Sequence, residues 1–194
     1  MRIFVALDID DAIRGRIVRF LEGIREFAPD LGWVRTESLH VTLKFIGEKP
    51  EEGVEQVKAT LSRITANSFV LSFRGFGFFP TAKSPRVFWL GIEAEPELRK
   101  LAATIDDATA TLGIAREDHA FSPHLTLARI GSVAPGRQKG DQVNRRFAKL
   151  QEKLAVLSSP DFGTMSAREF FLYESQTLRG GARYTKVARY ALNS

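Results

Sequence analysis

The sequence predicts an α+β fold of two antiparallel-rich sheets with helices packed outside them. Strand-like and amphipathic helical stretches follow one another in the order strand–helix–strand–helix–strands, loosely repeated along the chain. Two nine-residue segments, Leu39-His-Val-Thr-Leu-Lys-Phe-Ile-Gly47 and Pro123-His-Leu-Thr-Leu-Ala-Arg-Ile-Gly131, agree at five positions when aligned without gaps. Their shared His-x-Thr-Leu recurs 84 residues on in a chain of 194, which implies two similar halves. No low-complexity tract or linker separates those halves, so residues 1–194 read as one domain.

Each element has a local reason. Residues 2–8 alternate Ile3, Val5 and Leu7 with Phe4, Ala6 and Asp8, the period of a strand. Asp11 is placed to cap a helix whose apolar face runs Ile13, Ile17, Phe20, Leu21, Ile24 and Phe27 until Pro29 and Gly32 stop it. Trp33-Val-Arg is extended, and residues 38–46 form a second strand. Pro50-Glu-Glu opens a helix with Val54, Val57, Leu61 and Ile64 on one face. Residues 68–79 and 86–93, rich in β-branched and aromatic side chains, pair across a turn containing Pro80, Ser84 and Pro85. Pro96 then starts a helix carrying Leu98, Leu101, Ile105, Ala108 and Leu112 as far as Gly113. The second motif strand covers 124–130. A long loop from Gly131 to Asn144 and a helix near 145–157 follow it. Strands at 164–174 and 183–192, joined by Arg179-Gly-Gly-Ala, end the chain.

Composition narrows the function. Hydrophobic residues make up 44% of the chain and charged residues 26%, enough apolar content for a sizeable core. The absence of cysteine excludes disulfides, thiolate zinc sites and cysteine nucleophiles, and fits a reducing cytoplasm. The first residues, with an acid at position 8, do not read as a signal peptide, and no run of 18 apolar residues offers a membrane span. A soluble cytoplasmic protein is therefore expected. The net charge of +5 leans toward a polyanionic partner. Between residues 129 and 149 stand Arg129, Arg137, Lys139, Arg145, Arg146 and Lys149 against the single acid Asp141. By itself such a stretch reads more simply as a solvated basic loop than as a nucleic-acid contact.

The repeated motif carries the chemistry. Residues i and i+2 of a strand share a face, so His40 and Thr42 form one polar face and His124 and Thr126 another, with the pair on each strand roughly 7 Å apart. A single His-x-Thr reads most simply as a hydrogen-bonded structural histidine. The same face occurring twice is hard to ascribe to packing. One neutral imidazole takes a proton from water or a hydroxyl, while one imidazolium gives a proton to a departing oxygen. Threonine hydroxyls are fixed donors to phosphoryl oxygens. The set suits in-line displacement at phosphorus. No carboxylate lies within two residues of either motif histidine, and two histidines are too few ligands for a catalytic zinc, so no metal is expected.

Arg129 is suited to bidentate phosphate recognition, but strand parity sets it on the face opposite His124 unless the strand twists or ends there. By the same parity Lys44 falls on the His40 face, where solvation is its expected role. His119 has no counterpart in the first half and reads as a surface or supporting residue. Phe4 and Trp89 are the aromatics whose alternation offers a stacking platform for a base.

These motifs resemble the two-histidine phosphoesterase superfamily. Arg-Ile-Phe-Val-Ala-Leu-Asp at the N-terminus, Trp33-Val-Arg-x-Glu-x-Leu-His-Val-Thr-Leu-Lys-Phe-Ile-Gly, Phe121-x-Pro-His-Leu-Thr-Leu-Ala-Arg and Leu172-Tyr-Glu-Ser are similar to its RNA 2′,3′-cyclic 3′-phosphodiesterase (2′-5′ RNA ligase) branch. The resemblance implies a bilobal, pseudo-twofold fold whose site lies in a cleft between the lobes. It implies metal-independent hydrolysis of a terminal 2′,3′-cyclic phosphate to a 2′-phosphomonoester, with reversible 2′-5′ joining in some members. His40 and His124 become the acid/base pair, and Thr42, Thr126 and Arg129 hold the phosphate. The expected partner is RNA with 2′,3′-cyclic phosphate ends or the corresponding nucleotides, bound by a monomer without cofactor. Two other readings stay open: a nucleotide- or RNA-binding module with little catalysis, and a phosphodiesterase for other small nucleotides such as 2′-5′ oligoadenylates.

Overall fold

The structure, a computed structural model, describes residues 1–130 and 140–194, with side chains in its last helix described from residue 145 onward. The strands are β1 (Arg2–Leu7), β2 (Gly32–Trp33), β3 (Val41–Glu48), β4 (Phe69–Pro80), β5 (Pro85–Ala94), β6 (His124–Arg129), β7 (Asp161–Ala167), β8 (Glu169–Leu178) and β9 (Gly181–Ala191). The helices are α1 (Asp11–Glu22), α2 (Glu51–Leu61), α3 (Pro96–Ala110) and α4 (Gly140–Ala155). They form the α+β fold expected, with one sheet ordered β3-β1-β8-β9 and the other β2-β6-β5-β4-β7. The strand ladders are antiparallel throughout.

The pseudo-symmetry is an exchange. β1 and β3 flank α1 in the chain and pair with each other, as β5 and β6 flank α3 and pair with each other. After each motif a strand crosses over: β4, directly after β3, joins β5 in the second sheet, and β8, one strand after β7, joins β1 in the first. Neither half is therefore a separate unit. The chain switches sheets at Arg168, where β7, paired with β4, gives way to β8, paired with β1. The single strand expected over 164–174 is thus two strands in different sheets. The polar pair Arg168-Glu169 marks the change of partner, between the alternating Met165 and Ala167 and the apolar run from Phe170 to Tyr173.

Several boundaries also move. α1 starts at Asp11 itself, with Asp10 at the cap position and no side-chain capping bond. It stops at Glu22, and Phe27 belongs to a separate 3-10 turn over Arg25–Phe27. α4 begins five residues before the expected 145. The basic loop expected from Gly131 to Asn144 lies outside the described residues up to 139. Among the described residues no helix is long and apolar enough to cross a membrane.

A single continuous core joins both sheets to their helices. Val5 and Leu7 of β1, Phe73 of β4, Phe88 and Leu90 of β5 and Leu127 of β6 meet Ile17 and Leu21 of α1, Leu101 and Ile105 of α3 and Phe147 of α4. Phe88 is fully buried, stacked on Phe78 at 5.2 Å and edge-on to Phe76 and Trp33. Phe88→Ala is expected to cost about 3–5 kcal/mol, because the lost transfer energy is compounded by a cavity. At this chain length thermal unfolding should show the midpoint falling by roughly 6–20 °C.

Candidate active site

Two equivalent β-bulges decide which side chains face the cleft. In β3, Ala6 pairs with Thr42 and Val5 with Lys44, leaving Leu43 extra. In β6, Trp89 pairs with Thr126 and Phe88 with Ala128, leaving Leu127 extra. An extra residue breaks the period of two, so two neighbours point the same way. Leu43 and Lys44 both turn inward, as do Leu127 and Ala128. The residues after the bulges, Phe45 and Arg129, consequently return to the His/Thr face. The strand need not end for Arg129 to reach the site; the bulge brings it there.

Lys44 is the corresponding correction. It is 2% exposed, buried rather than solvated, with its Nζ 2.6 Å from Asp106 Oδ1. Burial raises the Asp106 carboxyl, but hydrogen bonds from Lys44 and the Glu117 amide, together with the Lys44 charge, outweigh it and hold it below the usual range.

His40, Thr42, His124, Thr126 and Arg129 line one cavity of ≈ 420 Å³. Each motif histidine is anchored in the same way. His40 lies 2.7 Å through Nδ1 from the Ser38 carbonyl, and His124 2.8 Å through Nδ1 from the Ser122 carbonyl. A carbonyl only accepts, so Nδ1–H is the donor in both neutral rings and Nε2 carries the lone pair. The Thr42 hydroxyl donates to His40 Nε2 at 3.0 Å, whereas His124 Nε2 has no protein partner among the described residues. The Ser38 carbonyl is itself placed by a 3-10 turn over Thr36–Ser38, and Arg14 braces that turn by donating to the Thr36 carbonyl and to Asp8.

Both histidines titrate below their ordinary value. Burial is the main cause at each, and the Arg129 charge adds to it, against the raising effect of the Ser38 or Ser122 hydrogen bond. The Asp8 carboxylate acts to raise His40 and has no counterpart at His124.

The aromatic surroundings differ from expectation. Phe4 is 2% exposed, its ring 4.9 Å from that of His40 and stacked on Tyr173, so it is a floor beneath the histidine and not a platform for a base. Trp89 packs across Gly77, where a Cβ would stand 2.2 Å from the indole, and its Nε1 is buried. The aromatics that do line the cavity are Phe45, Phe79 and Phe121, with Phe45 53% exposed. Phe45 was legible in the aligned repeat as the counterpart of Arg129. Phe79, 5.0 Å edge-on from His124, comes from a strand that crosses between halves and left no such signal. His119 lines the cavity too, on the irregular segment between α3 and β6, with Glu117 and Ser122.

The chain matches the family of LigT-like phosphoesterases in two copies, over residues 7–89 and 90–184, which meet within β5. It is 36% identical over 175 residues to a protein of Archaeoglobus fulgidus named RNA 2′,3′-cyclic phosphodiesterase, covering 90% of this chain and 91% of that one. An Escherichia coli protein of the same name is 30% identical, covering 98% and 96%. Among solved structures, the Escherichia coli protein LigT complexed with 3′-AMP superposes with a TM-score of 0.77 at 30% identity, covering 100% and 98%. A Thermus thermophilus protein follows with a TM-score of 0.75 at 28% identity, covering 98% and 97%.

Proposed function

The chain belongs to the LigT-like phosphoesterase family, and from that premise we propose that it is an RNA 2′,3′-cyclic phosphodiesterase working by two-histidine acid/base catalysis. The observation that carries this reading is the pair of imidazoles, each anchored through Nδ1 to the carbonyl two residues before it and sharing one cavity with Arg129. Water attacks the cyclic phosphate as His124 Nε2 takes its proton. The bond from phosphorus to the 3′-oxygen breaks as His40 gives a proton to that oxygen, leaving a 2′-phosphomonoester and a 3′-hydroxyl. This direction is supported by His124 Nε2, which has no protein partner among the described residues, and by Asp8, which favours the charged form of His40 alone.

Arg129, Thr42 and Thr126 hold the non-bridging oxygens as charge develops on them. The exposed Phe45 ring, at the position equivalent to Arg129, gives the opposite end of the cleft an aromatic surface for a base. The reaction asks nothing of a metal, since both proton transfers have a side chain assigned to them. RNA ending in a 2′,3′-cyclic phosphate, incubated with the protein in EDTA, should be converted to a 2′-phosphate end. A 3′-phosphate product, or no turnover beside nucleotide binding that survives loss of both histidines, overturns the reading; the second result would mark a binding module.

A further inference from the structure

We infer that Lys44 is a positioning residue, its buried ammonium reaching from the first motif strand into the other half of the chain to hold the cleft wall that aims His124. Lys44 Nζ donates to Asp106 Oδ1 at 2.6 Å and to the Ala115 carbonyl at 2.7 Å, and forms an ion pair with Glu117 Oε1 at 3.3 Å. All three partners belong to α3 and the segment after it. Residues 115–122 of that segment have no regular secondary structure, and among the described residues none of their backbone groups joins the backbone–backbone hydrogen bonds made outside the helices and strands. Side chains hold it instead. Asp106 accepts from the Glu117 amide at 3.2 Å, Arg99 donates to the Phe121 carbonyl, and Lys44 supplies the buried tie.

The wall leads directly to the chemistry. Glu117, His119, Phe121 and Ser122 line the cavity, and the Ser122 carbonyl fixes the tautomer and direction of the His124 ring. The equivalent bulge position in the second half is a buried alanine, Ala128, so the tie runs one way only. His40 has its own support: the Ser38 amide bonds to the Arg35 carbonyl at 2.8 Å and Arg14 braces the turn. Loss of Lys44 should loosen His124 and leave His40 in place. A catalytic group displaced by about 1 Å loses roughly 10²-fold in rate, whereas Arg129, the residue proposed to bind the phosphate, stands on β6 and not on the wall.

Lys44→Met leaves Asp106 with the Glu117 amide and the more distant Arg116 and is expected to lower the melting temperature; Lys44→Met with Asp106→Asn removes both charges, keeps an acceptor for the Glu117 amide and keeps the fold measurable. In the double variant kcat should fall about 10–10²-fold with KM within about threefold of the parent. In ¹⁵N-labelled protein the His124 Nδ1–H resonance should be lost to exchange while that of His40 persists. The kcat arm rests on the two-histidine reading above; the resonance arm does not, so a parent without turnover sinks that reading while the spectra still decide this one. Parent-like kcat with both resonances intact, or loss of both resonances together, overturns the positioning role.

Discussion

His40→Ala and His124→Ala should each lower kcat for hydrolysis of a 2′,3′-cyclic phosphate end about 10²–10⁴-fold, the range for removing one general acid or base. Neither ring carries the core. Both are partly exposed at the cleft and held by one carbonyl each, so thermal unfolding of the variants should stay close to the parent. The proton roles predict a further asymmetry. If His40 protonates the departing 3′-oxygen, a substrate whose leaving group needs no proton should rescue His40→Ala and leave His124→Ala slow. Rescue of His124→Ala alone would reverse the two roles, and retention of most activity by either variant would remove it from the mechanism.

Arg129→Ala should lower kcat/KM by about 10–10²-fold, the loss of a charge-assisted contact to the phosphate, and should also move the pH profile. The sign follows from the field at the two rings. A histidine below its ordinary pKa favours the neutral form, so the rising limb, which needs a neutral base, and the falling limb, which needs a protonated acid, both lie on the acid side of about 6.5. Arg129 contributes to both depressions, so its removal releases both limbs toward higher pH. Arg129→Lys keeps the charge but not the bidentate fork: it should lose affinity while leaving the profile near that of the parent. The bell-shaped dependence of kcat/KM, measured on all three proteins, separates the two contributions. A profile that stays still in Arg129→Ala would place the arginine too far from the histidines to act on them.

The helices were readable because each buries one stripe at a 3.6-residue period, as Ile13, Ile17 and Leu21 do on α1. The motif histidines were readable because their pattern occurs twice. Phe4 misled for a physical reason: its alternation with Ile3 and Val5 correctly sets it on the cleft side, but His40, Tyr173 and Tyr184 cover it there, and Tyr173 and Tyr184 arrive from strands more than 160 residues away. Alternation reports a face and says nothing of what lies on it.

Lys44 and Arg129 draw the line most clearly. Each follows its histidine in a repeated stretch, and parity sends the lysine outward and the arginine inward. One extra residue in each strand reverses both assignments. A bulge arises from how β3 registers against β1 and β6 against β5, and register is a property of two strands at once. The sequence by itself determined the strand and helix periods, the doubled His-x-Thr and the chemistry those groups allow, because each is written within a few neighbouring residues. The tertiary structure alone decided the exchange of β4 and β8 between sheets, the turn of Arg129 into the cleft and the burial of Lys44 beneath it, because each depends on a partner that local periodicity cannot name.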